Sequence, residues 1–361
     1  MEEGSNPSDA DLQLKDQVLF PSFINSHTHV ADTIGKDICL NVSLSEAVGQ
    51  HGIKFRLFKE NSLRTIKNGI LNSLQEMKDA KISAFADFRE GGLSGIRTLR
   101  EVIGEMGKDE ITPLIYGRPS KFGSEYEKIH LFYQEITNLL LEADGLGLSS
   151  VFDFTDEQLE MMHIIASEKG KKIAVHALED SPSPQRDFRG QKKELKRVME
   201  ILKADILIHL TRATSEDFYA LNDAQAIIFC PRSNAYFGLG FPPIDTFLKA
   251  NLDPLPALGT DNVMSTSPNI LDDARFTALS IRSEMEIDPT IFLKMISSNP
   301  AKIFNLKVGV LEPGATDCLA LNLNSPRIKF SKNLKATLLF RSTIEDYFSP
   351  FELLRKKQLE L

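Results

Sequence analysis

The sequence is poor in the residues that would assign it to several large protein classes. It has no tryptophan and only three cysteines in 361 residues. Cys39, Cys230 and Cys318 are odd in number, far apart and in no C-x-x-C pair, so no disulfide framework is implied and a reducing compartment is expected. No apolar run reaches the about 18 residues that a membrane span requires. The first residues, Met1-Glu2-Glu3-Gly4-Ser5-Asn6-Pro7, are acidic and polar, where a signal peptide would be basic and then apolar. A cytoplasmic location is the expectation. Positive charge is not in excess either. The formal net charge is −8, which argues against nucleic acid as a partner, because phosphate contacts need clustered Lys and Arg. The basic runs 191–197 and Arg355-Lys356-Lys357 are mixed with apolar residues and read as solvated helix faces. There is no internal repeat and no low-complexity segment.

What remains is an ordinary globular composition, 42% hydrophobic and 25% charged. The length suits one barrel with a small appendage. Along the chain, strand-like apolar runs alternate with helical periodicity. The runs read as strands are Ser22–Asn25, Ile82–Asp87, Pro113–Tyr116, Gly145–Ser149, Lys172–His176, Ile206–His209, Ala226–Cys230 and Leu255–Gly259. Between them lie helical stretches at Ser62–Asp79, Ser94–Met106, Tyr126–Glu142, Asp156–Lys169, Gln191–Lys203, Glu216–Leu221 and Pro243–Ala250. In the Asp156–Lys169 segment Leu159, Met162 and Ala166 recur on one face, Thr155 or Asp156 can cap the start, and Gly170 ends it. Strands separated by helices pair in parallel through right-handed crossovers. The expected fold is therefore an α/β (β/α)8 TIM barrel over 21–307; a doubly wound open sheet is the rival. The tail reads differently. Asp317–Leu323 and Ala336–Phe340 look like strands, expected to pair with residues 15–21. Segments 1–20 and 308–361 would together form a small, reduced β-sandwich on the barrel's side, with residues 1–10 as a lead-in.

Seven histidines are present, and four close predicted strands: His27, His29, His176 and His209. In a barrel that end carries the active site. His27 and His29 stand at i and i+2, on one face of a strand, so two imidazoles can reach one metal ion. Alone, an H-x-H could equally belong to a surface loop. His176 and His209 each end an apolar run and could instead be hydrogen-bonded core residues. Asp261 follows Ala257-Leu258-Gly259-Thr260 and is either a helix cap or a ligand and base. Glu179, three residues after His176, could swing over the mouth or begin a solvated loop. His51, His130 and His163 fall on or near helices and read as structural or exposed.

These residues resemble a family. Phe20-Pro21-Ser22-Phe23-Ile24-Asn25-Ser26-His27-Thr28-His29 resembles the first-strand signature of the amidohydrolase superfamily. His176-Ala177-Leu178-Glu179 resembles the H-x-x-E of its deaminases. Cys230-Pro231-Arg232-Ser233-Asn234 and Gly259-Thr260-Asp261 resemble later motifs of its metal-dependent aminohydrolase and chlorohydrolase branch, which includes cytosine, guanine and adenosine deaminases. Ser298-Asn299-Pro300-Ala301-Lys302 and 309–317 resemble its closing segment, and the likeness spans about 18–323. The resemblance implies that His27, His29, His176 and Asp261 hold one divalent transition metal, zinc or iron. It implies that His209 faces the water or substrate and that Glu179 shuttles a proton. Binuclear members carry a modified lysine on the fourth barrel strand. Gly145-Leu146-Gly147-Leu148-Ser149-Ser150 has none, so a single metal is expected.

The chemistry then expected is hydrolysis of a carbon–nitrogen bond in a small molecule, foremost deamination of an aminated heterocycle. Metal acidifies water, Asp261 takes its proton, Glu179 gives one to a ring nitrogen, and His209 steadies the new oxygen. Imidazole donors favour zinc, iron or nickel over calcium or magnesium. Substrate contacts are sought among Arg89, Glu90, Arg118, Ser233 and Asn234, with Arg118 suited to a carboxylate or phosphate. Opening of a cyclic amide or amidine, dechlorination at the same site, and an inactive barrel used for binding are the alternatives. Homo-oligomerisation stays open.

Overall fold

The computed structural model describes residues 14, 16–107, 111–180, 193–221, 224–313 and 317–351. The expected lead-in at 1–10 and the basic run at 355–357 lie outside them. Each predicted strand forms. They are β2 (Phe23–His29), β3 (Ile82–Arg89), β4 (Thr112–Gly117), β5 (Gly145–Leu148), β6 (Lys172–Ala177), β7 (Ile206–His209), β8 (Ala226–Phe229) and β9 (Leu255–Leu258). All pair in parallel, each with the next in sequence. After β9 the chain breaks at Gly259 and Thr260 and resumes as β10 (Asp261–Asn262), which pairs with Thr28 and His29 of β2. That pairing closes the ring, so the fold is a (β/α)8 barrel. Asn25 locks the break, accepting from the Thr260 amide at 3.1 Å and donating to Thr260 Oγ1 at 2.7 Å.

The helices follow the apolar periodicity. Leu63–Asp79 buries Ile70, Leu74 and Met77 and is capped by Ser62. Asp156–Glu168 buries Leu159, Met162, Ile165 and Ala166, with Thr155 and Gln158 forming a capping box. Gly170 takes a positive φ of 61° just beyond it. The segment expected to be helical from 191 is described from 193, and its last part, Arg197–Leu202, is a π turn.

The barrel interior explains the glycines of β5. Phe88 and Tyr116 stack across it, ring centroids 5.2 Å apart and 10° from parallel. A β-carbon on Gly147 would come within 2.6 Å of the Phe88 ring, and one on Gly145 within 2.5 Å of the Tyr116 ring. The strand needs no side chains there because two aromatic rings already fill the space. Phe88 also packs 4.3 Å from the His27 ring.

The two chain ends form a small antiparallel sheet in the order β1 (Gln17–Pro21), β11 (Cys318–Asn322), β12 (Tyr347–Phe348). The expected pairing of the tail with the lead strand therefore forms, with one correction. Ala336–Phe340 is not a strand but part of a helix, Leu334–Phe340, which buries Thr337, Leu338 and Leu339. A short apolar run fits either element. The Asn333 side chain accepts from the Ala336 amide and starts a helix. Tyr347–Phe348 supplies the third strand instead. Among the described residues no helix is long and apolar enough to cross a membrane.

Candidate metal centre

The mouth of the barrel gathers four imidazoles. His27 and His29 lie on β2, His176 on β6 and His209 at the end of β7. Ring centroids are 5.0 Å apart for His27 and His29, 4.8 Å for His27 and His176, and 4.9 Å for His176 and His209. Asp261 reaches in from β10, its Oδ1 3.1 Å from His27 Nε2 and 3.4 Å from His29 Nε2. Backbone strain accompanies the placement. His209 and Asp261 take φ of 76° and 61°, a left-handed conformation that costs a non-glycine residue roughly 1–3 kcal/mol.

The donor set fits a divalent metal ion. His176 Nε2 and His209 Nε2 are buried with no hydrogen-bond partner, as is His27 Nδ1. Unpaired buried polar atoms are costly, and a cation offers the lone pairs of His27 and His176 a partner. Burial pushes the His27 imidazole down to about 3 and lowers His176 well below its ordinary range, so both present lone pairs. Burial would raise the Asp261 carboxyl, but the His27 hydrogen bond and the surrounding imidazoles outweigh it and hold it well below the usual range. Ligand-capable atoms of His27, His29 and His176 lie within 4.8 Å of one another.

Glu179 follows β6 and stands between two of these rings. Its Oε1 is 3.5 Å from His209 Nε2 and its Oε2 3.7 Å from His176 Nδ1. Burial raises its carboxyl, with His209 opposing and Asp261 adding to the shift.

The segment Cys230-Pro231-Arg232-Ser233-Asn234 carries a supporting layer. Pro231 begins the short helix Pro231–Tyr236. From it Ser233 Oγ donates to Asp261 Oδ2 at 2.5 Å, and Asn234 Nδ2 lies 3.3 Å from His209 Nδ1. Arg232 faces away and anchors the helix, with Nε 2.8 Å from the buried Asp273. Both Ser233 and Asn234 are buried and touch site residues rather than the open cleft.

That cleft has a volume of about 300 Å³. His29, His176, Glu179 and Asp261 form its floor, and Phe55, Phe122 and Phe237 contribute apolar wall. Arg118 lines it, half-buried, with Nη1 3.1 Å from Glu90 Oε1. Glu90 itself is buried; it accepts from Arg89 Nη2 at 2.8 Å and lies 2.9 Å from His29 Nδ1. Arg89 is buried between Asp87 and Glu90 and does not line the cleft. His51 and His130 are exposed and His163 is half-buried, and none of the three lines the cleft.

Two charged residues of this region have no motif to announce them. Lys54, 3% exposed, sits 2.7 Å from Asp32 and also contacts Glu90. Asp32 lies three residues beyond His29, which is the one local signal a reader of the sequence could have used.

Comparison with known proteins agrees with this picture. The profile of the amidohydrolase family matches residues 18–337. An uncharacterized protein of Methanocaldococcus jannaschii is 31% identical over 334 residues, 90% of this chain and 83% of its own. A 5-methylthioadenosine/S-adenosylhomocysteine deaminase of Pyrococcus furiosus is 26% identical over 341 residues, 89% of this chain and 79% of its own. Among solved structures, an adenosine deaminase from Xanthomonas campestris with bound zinc superimposes with a TM-score of 0.79 at 16% identity, over 92% of this chain and 78% of that one.

Proposed function

The chain belongs to the amidohydrolase family, enzymes that hydrolyse carbon–nitrogen bonds, and from that premise we propose that it deaminates an aminated heterocycle, a nucleobase, a nucleoside or a close relative. The observation that carries the reading is Glu179, a recessed carboxyl within 3.5 Å of His209 and 3.7 Å of His176 at the cleft floor. A carboxyl raised by burial holds a proton that it can hand to a ring nitrogen. Deamination needs that transfer, because the ring carbon bearing the amino group becomes tetrahedral as water adds.

In this reading His27, His29, His176 and Asp261 hold one divalent ion, zinc foremost with iron as the other candidate, as imidazole-rich donor sets favour. Such an ion, when bound, supplies a water of near-neutral pKa. Asp261, held as an anion, accepts the proton that water loses. Asn234 beside His209 Nδ1 keeps the His209 proton on Nε2, aimed at the oxygen being formed. Glu179 protonates the ring nitrogen and regains a proton from the hydroxyl on the tetrahedral carbon, while the proton held by Asp261 passes to the departing amino group, so that ammonia leaves and a carbonyl remains. Phe55, Phe122 and Phe237 offer flat apolar contact to a heterocycle, and about 300 Å³ accommodates a molecule of that size. Domain limits of 1–20, 21–307 and 308–361 suit a barrel that carries the chemistry and chain ends that brace it. The zinc-bearing deaminase fold and the deaminase relative support the same reaction class.

The test is ammonia release from a panel of aminated nucleobases, nucleosides and thioether nucleosides, assayed with the zinc-loaded protein. Ammonia produced in equimolar amount with an oxo product supports the proposal. Ring opening without ammonia, or no turnover of any aminated ring, overturns it.

A further inference from the structure

Beside the imidazole cluster lies a second group of buried charges that the proposed reaction does not use. Asp32 and Glu90 converge on Lys54, whose Nζ is 2.7 Å from Asp32 Oδ2 and in contact with Glu90 Oε1. The same Glu90 oxygen is 2.9 Å from His29 Nδ1, and His29, Asp32 and Glu90 offer ligand-capable atoms within 4.8 Å of one another. Asn262 donates to Asp32 Oδ2 at 2.7 Å, while Asp32 Oδ1 is buried with no partner. Two carboxylates, one of them with an unused oxygen, around one point make the coordination sphere of a hard cation, and His29 Nδ1–H, facing Glu90 and the Phe88 carbonyl, borders it as a donor.

The charges balance only because of the ammonium. Asp32, Asp87 and Glu90 face Lys54, Arg89 and Arg118. Lys54 is 3% exposed and arrives on the helix Ile53–Glu60, outside the barrel ring. Removing one partner of a buried ion pair leaves a charge that must find another. We propose that Lys54 is a built-in cation: its ammonium fills a cation site made by Asp32 and Glu90 beside His29, and so closes this flank of the centre to a second metal ion. Glu90, steadied by the ammonium, stays on His29 Nδ1 and leaves Nε2 directed at the first ion, the arrangement in which outer carboxylates orient metal-binding imidazoles.

The inference rests on the reading that His27, His29, His176 and Asp261 hold a single ion. Metal stoichiometry separates the two. Apoprotein is titrated with zinc and, separately, with manganese, and bound metal is measured after equilibrium dialysis. Wild type is expected to bind one equivalent and Lys54→Arg one. Lys54→Ala is expected to bind two, and Lys54→Ala with Glu90→Gln one again. Lys54→Ser serves in place of the alanine variant if that protein does not fold. A small amine such as ethylammonium, filling the space vacated in Lys54→Ala, is expected to compete with the second equivalent and not with the first. One equivalent in both Lys54→Ala and Lys54→Ser, with wild type also binding one, overturns the built-in cation. Failure of wild type to bind any metal overturns the metal reading itself.

Discussion

Gly259 lies so close to His27 that a β-carbon at position 259 would sit 2.5 Å from the His27 β-carbon. The contact joins the break in the last barrel strand to the first proposed ligand. Gly259→Ala cannot be absorbed by a flexible side-chain end, because the clash is with the β-carbon and the backbone of residue 27. Overpacking of this kind costs about 1–3 kcal/mol. The variant should melt several degrees lower and bind zinc more weakly; an unchanged zinc affinity would show that the approach has no bearing on His27.

Glu179→Gln keeps the shape of the recess and removes the transferable proton. Turnover should fall roughly 10²–10⁴-fold while metal content stays at the wild-type value, measured by elemental analysis beside the ammonia assay. Full turnover in this variant would take Glu179 out of the mechanism.

Asn234 holds His209 from behind, 3.3 Å from Nδ1. Asn234→Ala frees the ring to change tautomer and should cost roughly 10–100-fold in kcat, as loss of outer partners does at comparable sites. KM and metal content should move little. A drop confined to KM would point to a substrate contact instead.

Chelation offers a check on the donor set as a whole. Orphaned nitrogens on His27 and His176 gain a partner only when an ion is present. Ligand at about 100 times its Kd stabilises a folded protein by roughly 2.7 kcal/mol. Dialysis against chelator should lower Tm and abolish turnover, and one equivalent of zinc should restore both. A Tm indifferent to metal would argue against a bound ion at this cluster.

The parts of the site legible in the sequence are those whose geometry is local. His27 and His29 share a strand face, His176 and His209 end apolar runs, and Asp261 follows one, so the barrel rule places all five at one mouth. Ser233 and Asn234 stand out in the sequence, but their side chains turn toward Asp261 and His209, a direction set by the Pro231 helix and not by spacing. Lys54 was invisible, because its partners at 32 and 90 come from two other elements. The 336–340 segment is ambiguous for another reason: five residues carry too little periodicity to separate strand from helix, and the deciding cap lies outside the apolar run at Asn333.

The small sheet at the chain ends has a consequence for the order of synthesis. β1 pairs with β11 across about three hundred residues of intervening chain, Gln17 with Asn322 and Pro21 with Cys318. At about 5–20 residues per second, the nascent strand emerges some 15–60 s before its partner exists. Through that interval its edge is bare and, until β10 is made, β2 also lacks its closing partner and the barrel cannot shut. Completion of the small sheet thus waits on strands made about three hundred residues after its first, and an unpaired edge stays exposed until then.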